Sequence, residues 1–207
     1  MAHLIDHIIY TASSLKEGMD HIESILGVRP KIGGPHPKWG TENARLSLGQ
    51  CYLEVVAPDP SSDILPSVTW IASFLESSPK LSSWVLRTED IELTKSIAIE
   101  ADINIGNIQS GNRMEPDGTL LEWQLTDPYT MPYHGTLPFL INWGNSPHPS
   151  QNTPVAGNLE RLIIEHPENE VIREKLERLG MDLEVKKTNE VRLIAEIRTE
   201  HGLVILT

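Results

Sequence analysis

The chain opens on an alternation of apolar and polar positions that predicts a strand followed by an amphipathic helix. Leu4–Thr11 is a short β-branched run, which is typical of a strand. Ser14 and Glu17 have the spacing of a capping box, in which the Ser14 hydroxyl accepts from the Glu17 backbone N–H. Gly27 is a suitable residue to end the helix. The apolar stripe of this helix consists of Leu15, Met19, Ile22 and Leu26.

The same order of elements returns twice along the chain. The segment 82–88 predicts a strand, and the segment 91–101, with Asp90 as its N-cap, predicts a helix. Further on, the segment 158–165 predicts a strand and the segment 170–179 predicts a helix. Strands joined by tight turns are expected after each helix, and these turns lie at Gly49–Gln50, Asp117–Gly118 and His201–Gly202.

The spacing of these elements indicates a structural repeat. One residue in each opening strand is separated from the next by 77 positions, namely His7, Trp84 and Arg161. We therefore predict an α+β fold built from β-α-β-β-β units, in which two units pack into one curved, mixed and mostly antiparallel sheet.

Two segments rich in Pro, Ser and other breakers, 58–66 and 146–154, separate the units. We predict that residues 1–149 hold two units and that residues 150–207 form a third, smaller β-α-β-β-β-like unit. A unit of about 50 residues buries too little apolar surface to be stable alone. We expect it either to pack extensively on the first two units or to build a homodimer.

Composition excludes several classes of protein. The chain has 207 residues, with 17 Lys and Arg against 29 Asp and Glu, and a net charge of −12, which argues against a nucleic-acid partner. The single cysteine, Cys51, excludes a disulfide framework and a cysteine-based zinc site. No apolar run approaches the length of a membrane span, and the first residues lack a signal-peptide pattern. We expect a cytoplasmic protein whose partner is a small molecule.

His7 and Glu54 are the polar residues that stand out within predicted strands. His7 alternates with Ile5 and Ile9, so it faces the same side as these apolar residues. An imidazole there is either a satisfied core histidine or a ligand. Glu54 interrupts an apolar run, where a carboxylate either faces water or is buried with a partner. If the sheet curves around a cavity, the two side chains converge and suit a divalent metal such as zinc, manganese or iron.

Other candidates lie in loops and on later strands. His36 is in a segment dense in Gly and Pro, and is either a surface histidine or part of a lid over the site. Arg113 is either a surface residue or a bidentate carboxylate binder. Trp123 and Trp143 either pack in the core or form the apolar wall of a pocket. We expect Asn43, Arg113 and Trp143 on the rim of the cleft that His7, His36 and Glu54 share.

The repeat, the Asp6-His7 pair on the first strand and Tyr52-Leu53-Glu54 on the last together resemble the vicinal-oxygen-chelate superfamily, and within it the glyoxalase-like domain group. The resemblance covers residues 4 to about 149. The stretches that carry it are 6–9, 26–30, 34–37, 40–44, 52–60 and 138–144.

The superfamily implies a divalent metal (zinc, manganese, iron or nickel) bound by side chains near the start of the first strand and near the end of the last strand of each unit. His7 and Glu54 match these positions in the first unit. The second unit departs from the pattern, because Trp84 and Phe139 stand near the corresponding positions. His36 is then the natural third ligand or an acid–base residue.

Two classes of function follow from this resemblance. One is a metal-assisted lyase, isomerase or oxygenase that stabilises an enediolate or similar anion of a small oxygenated substrate, with Glu54 or His36 moving a proton. The other is a non-catalytic binder of the drug-sequestering type without a metal, in which Trp84 and Phe139 line an apolar cavity. The sequence does not decide between an enzyme and a binding protein.

Overall fold

The computed structural model describes residues 4–115 and 118–207. Asp117, at the second of the predicted turns, lies outside the described residues. No helix in these two ranges is long and apolar enough to cross a membrane.

The first unit has the predicted order of elements. They are β1 (Leu4–Thr11), α1 (Leu15–Leu26), β2 (Lys31–His36), β3 (Thr41–Leu48) and β4 (Cys51–Pro58). The predicted limits of α1 are confirmed: the Ser14 side chain accepts from the Glu17 backbone N–H, and Gly27 ends the helix with a left-handed φ of 75°. Only a residue that tolerates positive φ fits there without strain.

The second unit repeats this order after a one-turn helix, α2 (Ala72–Leu75). Its elements are β5 (Lys80–Arg87), α3 (Ile91–Glu100), β6 (Ile108–Met114), β7 (Leu120–Thr126) and β8 (Phe139–Asn142). The predicted cap of α3 is confirmed, since the Asp90 side chain accepts from the Leu93 backbone N–H at 3.0 Å.

The two units share one eight-stranded sheet with the strand order β2-β3-β4-β1-β5-β8-β7-β6. The opening strands β1 and β5 pair antiparallel at its centre, and each pairs in parallel with the closing strand of its own unit. The other neighbours are antiparallel, so the sheet is mixed and mostly antiparallel. It curls into a half-barrel, which confirms the predicted α+β fold.

The remaining elements form a second, four-stranded sheet. They are β9 (Asn158–His166), α4 (Asn169–Arg178), β10 (Glu184–Lys187), β11 (Arg192–Thr199) and β12 (Gly202–Leu206). The order of elements matches the first two units, but the strand order is β10-β9-β11-β12. Here the opening strand β9 pairs in parallel with β10 and antiparallel with β11, and the closing strand β12 is not its neighbour. The backbone of β9 is therefore hydrogen-bonded on both edges.

One hydrophobic core joins the two sheets. It lies between the outer face of the half-barrel, the helices and the inner face of the second sheet, and it contains residues such as Ile8, Leu53, Ile172 and Leu193. Lys175 on α4 also donates to the carbonyl oxygens at the end of α3. Residues 155–207 therefore pack extensively on the first two units, whereas a homodimer stays a prediction. The opposite, concave face carries a separate apolar cluster and the candidate site.

Candidate functional site

The structure brings His7 and Glu54 together on the concave face. In the parallel β1–β4 pair, His7 lies opposite Tyr52 and Ile9 lies opposite Glu54, so all four point to the same side. The His7 Nε2 atom is 3.5 Å from Glu54 Oε2, and the Tyr52 ring stacks on the His7 ring with a centroid distance of 4.5 Å. Both polar side chains are almost fully buried.

A fully buried carboxylate, Asp6, holds His7 from the other side. The His7 Nδ1 atom is 2.7 Å from Asp6 Oδ1. The second oxygen, Oδ2, accepts from the Trp143 indole N–H at 3.0 Å and lies 3.0 Å from His148 Nε2. The register of β1 against β5 shifts between Ile5 and His7. This bulge turns the Asp6 side chain toward the His7 ring.

Asp6, like His148, was absent from the predicted site. The available signal was the Asp6 carboxylate inside an apolar strand and beside His7. An aspartate is rarely buried without a partner. His148 could not be assigned because its contact with Asp6 spans 142 residues of sequence.

Asn43 and Arg113 continue the polar arrangement toward the second unit. Asn43, on β3, donates its amide N–H to Glu54 Oε1 and accepts from Arg113 at 3.1 Å. Arg113, on β6, also donates to Glu115 Oε1 at 2.8 Å, and Arg45 donates to both oxygens of the same carboxylate. Most donors of Arg113 are therefore already engaged within the protein, and Arg113 connects the two halves of the sheet.

His36 is the last residue of β2 and lines the cavity. Its Nδ1 atom is 3.2 Å from the Thr41 hydroxyl, and its Nε2 atom is 3.5 Å from Arg113 Nη1. We call the four residues His7, His36, Asn43 and Glu54 the polar floor of the cavity. The structure thus brings these predicted residues together, and Arg113 and Trp143 line the same cavity.

The charges of the polar floor are set by opposing effects. Burial disfavours the charged imidazolium of His7, but its hydrogen bonds to Asp6 and Glu54, together with their negative charges, raise its pKa to about 9. Burial likewise disfavours the Glu54 carboxylate, but the hydrogen bond and charge of His7 and the Asn43 amide lower its pKa to about 2. For Asp6, the hydrogen bonds with His148 and His7 outweigh burial and hold the pKa well below its usual range.

His36 differs from His7 because, within residues 4–115 and 118–207, no carboxylate accepts a hydrogen bond from its ring. Burial lowers the pKa of His36 to about 4, and the positive charges of Arg113 and Arg45 add to this effect against the opposing charge of Glu54. The floor therefore contains a protonated imidazole, a neutral imidazole and one carboxylate at neutral pH.

The rest of the cavity is aromatic and apolar. We call Trp123, Leu125, Phe139 and Ile141, all from β7 and β8, the apolar wall. The cavity is completed by Trp39, Trp70, Pro128 and Trp143, and its volume is about 60 Å³. The arrangement offers polar groups at one side and flat rings at the other, which is typical of small-molecule sites.

The placement of Trp84 corrects the expectation that it lines the pocket. Trp84 pairs with Ile8 across the β1–β5 ladder, and residues directly opposite one another point to the same face. It therefore lies on the outer face in the main core, fully buried, with its indole N–H donating to the Thr136 carbonyl at 2.9 Å. The residue opposite His7 in this ladder is Val85, one position beyond Trp84, and Val85 faces the concave side.

The donor set of the polar floor has features for and against a divalent metal. The His7 Nδ1 atom is hydrogen-bonded to a carboxylate, as in most metal-binding histidines, and its Nε2 atom faces Glu54. However, no group of three or more His, Cys, Asp or Glu side chains within residues 4–115 and 118–207 is arranged to hold a metal ion. His36, the predicted third ligand, has the Arg113 guanidinium beside its Nε2 atom, which opposes a second cation there. The residues present do not fit a resident metal.

The glyoxalase-like domain model matches residues 5–180, which is most of the chain. The chain belongs to the glyoxalase-like domain family. Among curated proteins, no sequence matches significantly.

Solved structures share the fold at low sequence identity. A hypothetical protein from Staphylococcus aureus is 16% identical, with a TM-score of 0.64 over 98% of this chain and 84% of its own. The methylmalonyl-CoA epimerase of Mycobacterium tuberculosis is 14% identical, with a TM-score of 0.46 over 69% of this chain and 88% of its own. A variant of the Streptomyces coelicolor epimerase in complex with 2-nitronate-propionyl-CoA is 15% identical, with a TM-score of 0.46 over 70% and 97%. The likeness to the Staphylococcus aureus protein concerns the fold alone.

Proposed function

We propose that this glyoxalase-like protein binds a small carbonyl compound in the concave cavity and transfers a proton at the carbon next to the carbonyl, with Glu54 as the base and His7 as the acid. The observation that carries this proposal is the buried pair of His7 and Glu54, whose pKa values are shifted to about 9 and about 2 and which opens onto an apolar cavity. Paired groups with pKa values moved apart are typical of acid–base sites.

The 3.5 Å separation of His7 Nε2 and Glu54 Oε2 is longer than a good charge-assisted hydrogen bond. A carbonyl oxygen that accepts from His7 Nε2 would replace Glu54 as its partner. Glu54 would then lose the hydrogen bond that keeps its pKa low, while burial, which raises its pKa, would remain. Substrate binding would therefore make Glu54 a stronger base at the moment when a base is needed.

The proton balance of the step is simple. Glu54 takes the proton from the carbon, the electron pair of the C–H bond forms a carbon–carbon double bond, the π pair of the carbonyl moves to its oxygen, and His7 Nε2 donates a hydrogen bond to the resulting enolate oxygen. Return of a proton to the same carbon regenerates the carbonyl compound, with exchange when that proton comes from solvent. Asn43 holds the Glu54 carboxylate in place through its other oxygen.

The proposal is tested by deuterium exchange. Hydroxyacetone and α-hydroxyacetophenone are incubated with the protein in deuterium oxide, and exchange at the carbon next to the carbonyl is followed by proton NMR. Glu54→Gln should lower the exchange rate by about 100-fold or more. Glu42→Gln, on the same strand as Asn43 but outside the cavity lining, is the matched control and should keep the wild-type rate. Equal rates in wild type and Glu54→Gln would contradict the proposal.

A second candidate function is non-catalytic binding, and the large share of aromatic side chains in the cavity supports it. Binding of both ketones without any exchange above the buffer rate would favour this candidate. A metal-assisted reaction is a third outcome of the same assay. It predicts that added zinc or manganese raises the exchange rate, and that calorimetry detects metal binding to the wild type but not to His7→Ala.

A further inference from the structure

We infer that the molecule bound in the concave cavity carries a planar conjugated ring, so that the substrate is an aromatic ketone or aldehyde rather than an aliphatic one. The chain has 5 Trp, 4 Tyr and 2 Phe. More than half of these aromatic residues line this one cavity, namely Trp39, Tyr52, Trp70, Trp123, Phe139 and Trp143. The inference rests on the proposed function and adds a substrate class to it.

The rings on the wall side are held in place by the protein itself. Trp143 donates its indole N–H to the buried Asp6 at 3.0 Å. Trp123 contacts Trp143 with a centroid distance of 5.5 Å, and it lies so close to Gly111 that a Cβ atom there would be 2.5 Å from its ring. Trp70 meets Phe139 edge to face at 6.1 Å. These rings need little reorganisation to receive a flat ligand, which favours binding.

Aromatic walls favour aromatic ligands beyond the area that they bury. Rings interact with other rings through offset or edge-to-face contacts that a saturated ring of the same size cannot make. Trp70 and Phe139 already meet edge to face, Trp123 and Trp143 meet at a tilt of 55°, and a ligand ring in the cavity would extend these contacts. Only three residues of the cavity lining are aliphatic or proline, namely Leu125, Pro128 and Ile141.

An organic cation is the other ligand that aromatic walls attract. The charges near the cavity argue against it, because each carboxylate already has a cationic or imidazole partner. Asp6 and Glu54 flank His7, and Glu115 accepts from both Arg45 and Arg113. A cation would have to compete with these groups, whereas a neutral ring would not.

Calorimetry with two matched ketones tests the inference. Acetophenone and cyclohexyl methyl ketone have the same carbonyl group and the same number of carbon atoms, and differ in the unsaturation of the ring. Acetophenone should bind wild-type protein about tenfold more tightly. Trp123→Leu, which keeps an apolar side chain, should reduce this preference at least about threefold. Phe74→Leu removes a buried ring outside the cavity lining and should leave the preference unchanged.

The inference is overturned if the saturated ketone binds wild type as tightly as acetophenone, if acetophenone does not bind at millimolar concentration, or if tetramethylammonium binds more tightly than either. The deuterium-exchange assay separates this from the proposed function. A ring preference without exchange refutes proton transfer but keeps the ligand class. Exchange on hydroxyacetone without a ring preference keeps proton transfer and refutes the ligand class.

Discussion

The two units of the half-barrel have the same order of elements and contribute opposite chemistry to one cavity. The first unit provides the whole polar floor, and the second provides the apolar wall. Where β1 and β4 carry His7 and Glu54, the neighbouring strands β5 and β8 carry Val85, Phe139 and Ile141 on the concave face. A repeated fold therefore fixes where side chains point, while each copy is free to carry a different kind of side chain.

This difference has an energetic consequence. The polar floor consists of buried groups that depend on one another, because a buried donor or charge without its partner is costly. The apolar wall consists of side chains that make non-directional contacts. Changes in the floor should therefore disturb stability and protonation, and changes in the wall should act mainly on ligand binding.

The largest expected effect is the separation of two histidine pKa values within the floor. His7, with a pKa of about 9, should stay protonated at neutral pH, and His36, with a pKa of about 4, should stay neutral, so the two differ by about five pH units (9 − 4). NMR of the ring nitrogens between pH 3 and 10 measures both values in metal-free protein. If both histidines titrated near pH 6.5, the prediction that His7 is protonated and His36 neutral at pH 7 would be wrong.

The signs of the stability effects follow from these shifts. Because the pKa of His7 is raised, its contribution to stability is complete below its unfolded value of 6.5 and is lost as the pH rises toward about 9. Because the pKa of His36 is lowered, stability is lost as the pH falls from 6.5 toward about 4. Urea unfolding of His7→Gln should lack the first loss, and that of His36→Gln should lack the second.

The next largest effect is expected from Asp6→Asn. The substitution keeps the size of the side chain but removes the charge that His7, Trp143 and His148 share. Leaving a buried charge without its partner should lower the free energy of unfolding by about 3–5 kcal/mol. Urea denaturation at pH 7 measures the loss. Asp20→Asn, in an exposed cluster on α1, is the control and should leave the unfolding midpoint unchanged. Equal midpoints for both variants would show that Asp6 does not organise the floor.

Arg113→Met tests the contact between the two units and should have the smallest of these effects. It removes the donors to Asn43 and Glu115, but Arg45 still donates to both oxygens of Glu115. The free energy of unfolding should fall by about 1–3 kcal/mol. Arg87→Met, also in the second unit, is the control, because within the described residues Arg87 has no side-chain hydrogen bond or ion pair. A loss no larger than that of the control would mean that the units are coupled only through the sheet and the core.

Local sequence patterns predicted the helices and strands and part of the site. The capping residues Ser14 and Asp90, the glycine that ends α1 and the alternation within β1 are local signals, because each depends on residues a few positions apart. For the same reason His7 and Glu54 could be assigned to one face of their strands, and a curved sheet was enough to bring them together.

The other features depend on contacts between distant parts of the chain. The face of Trp84 depends on the register of β1 against β5, where a shift of one residue reverses every side chain. The Asp6 contacts with Trp143 and His148 join residues more than 130 positions apart, and the pairing of β9 differs from that of β1 despite the same order of elements. Such contacts are set by how whole sheets pack. Hydrogen-bond partners that are distant in sequence therefore leave no local pattern in the chain.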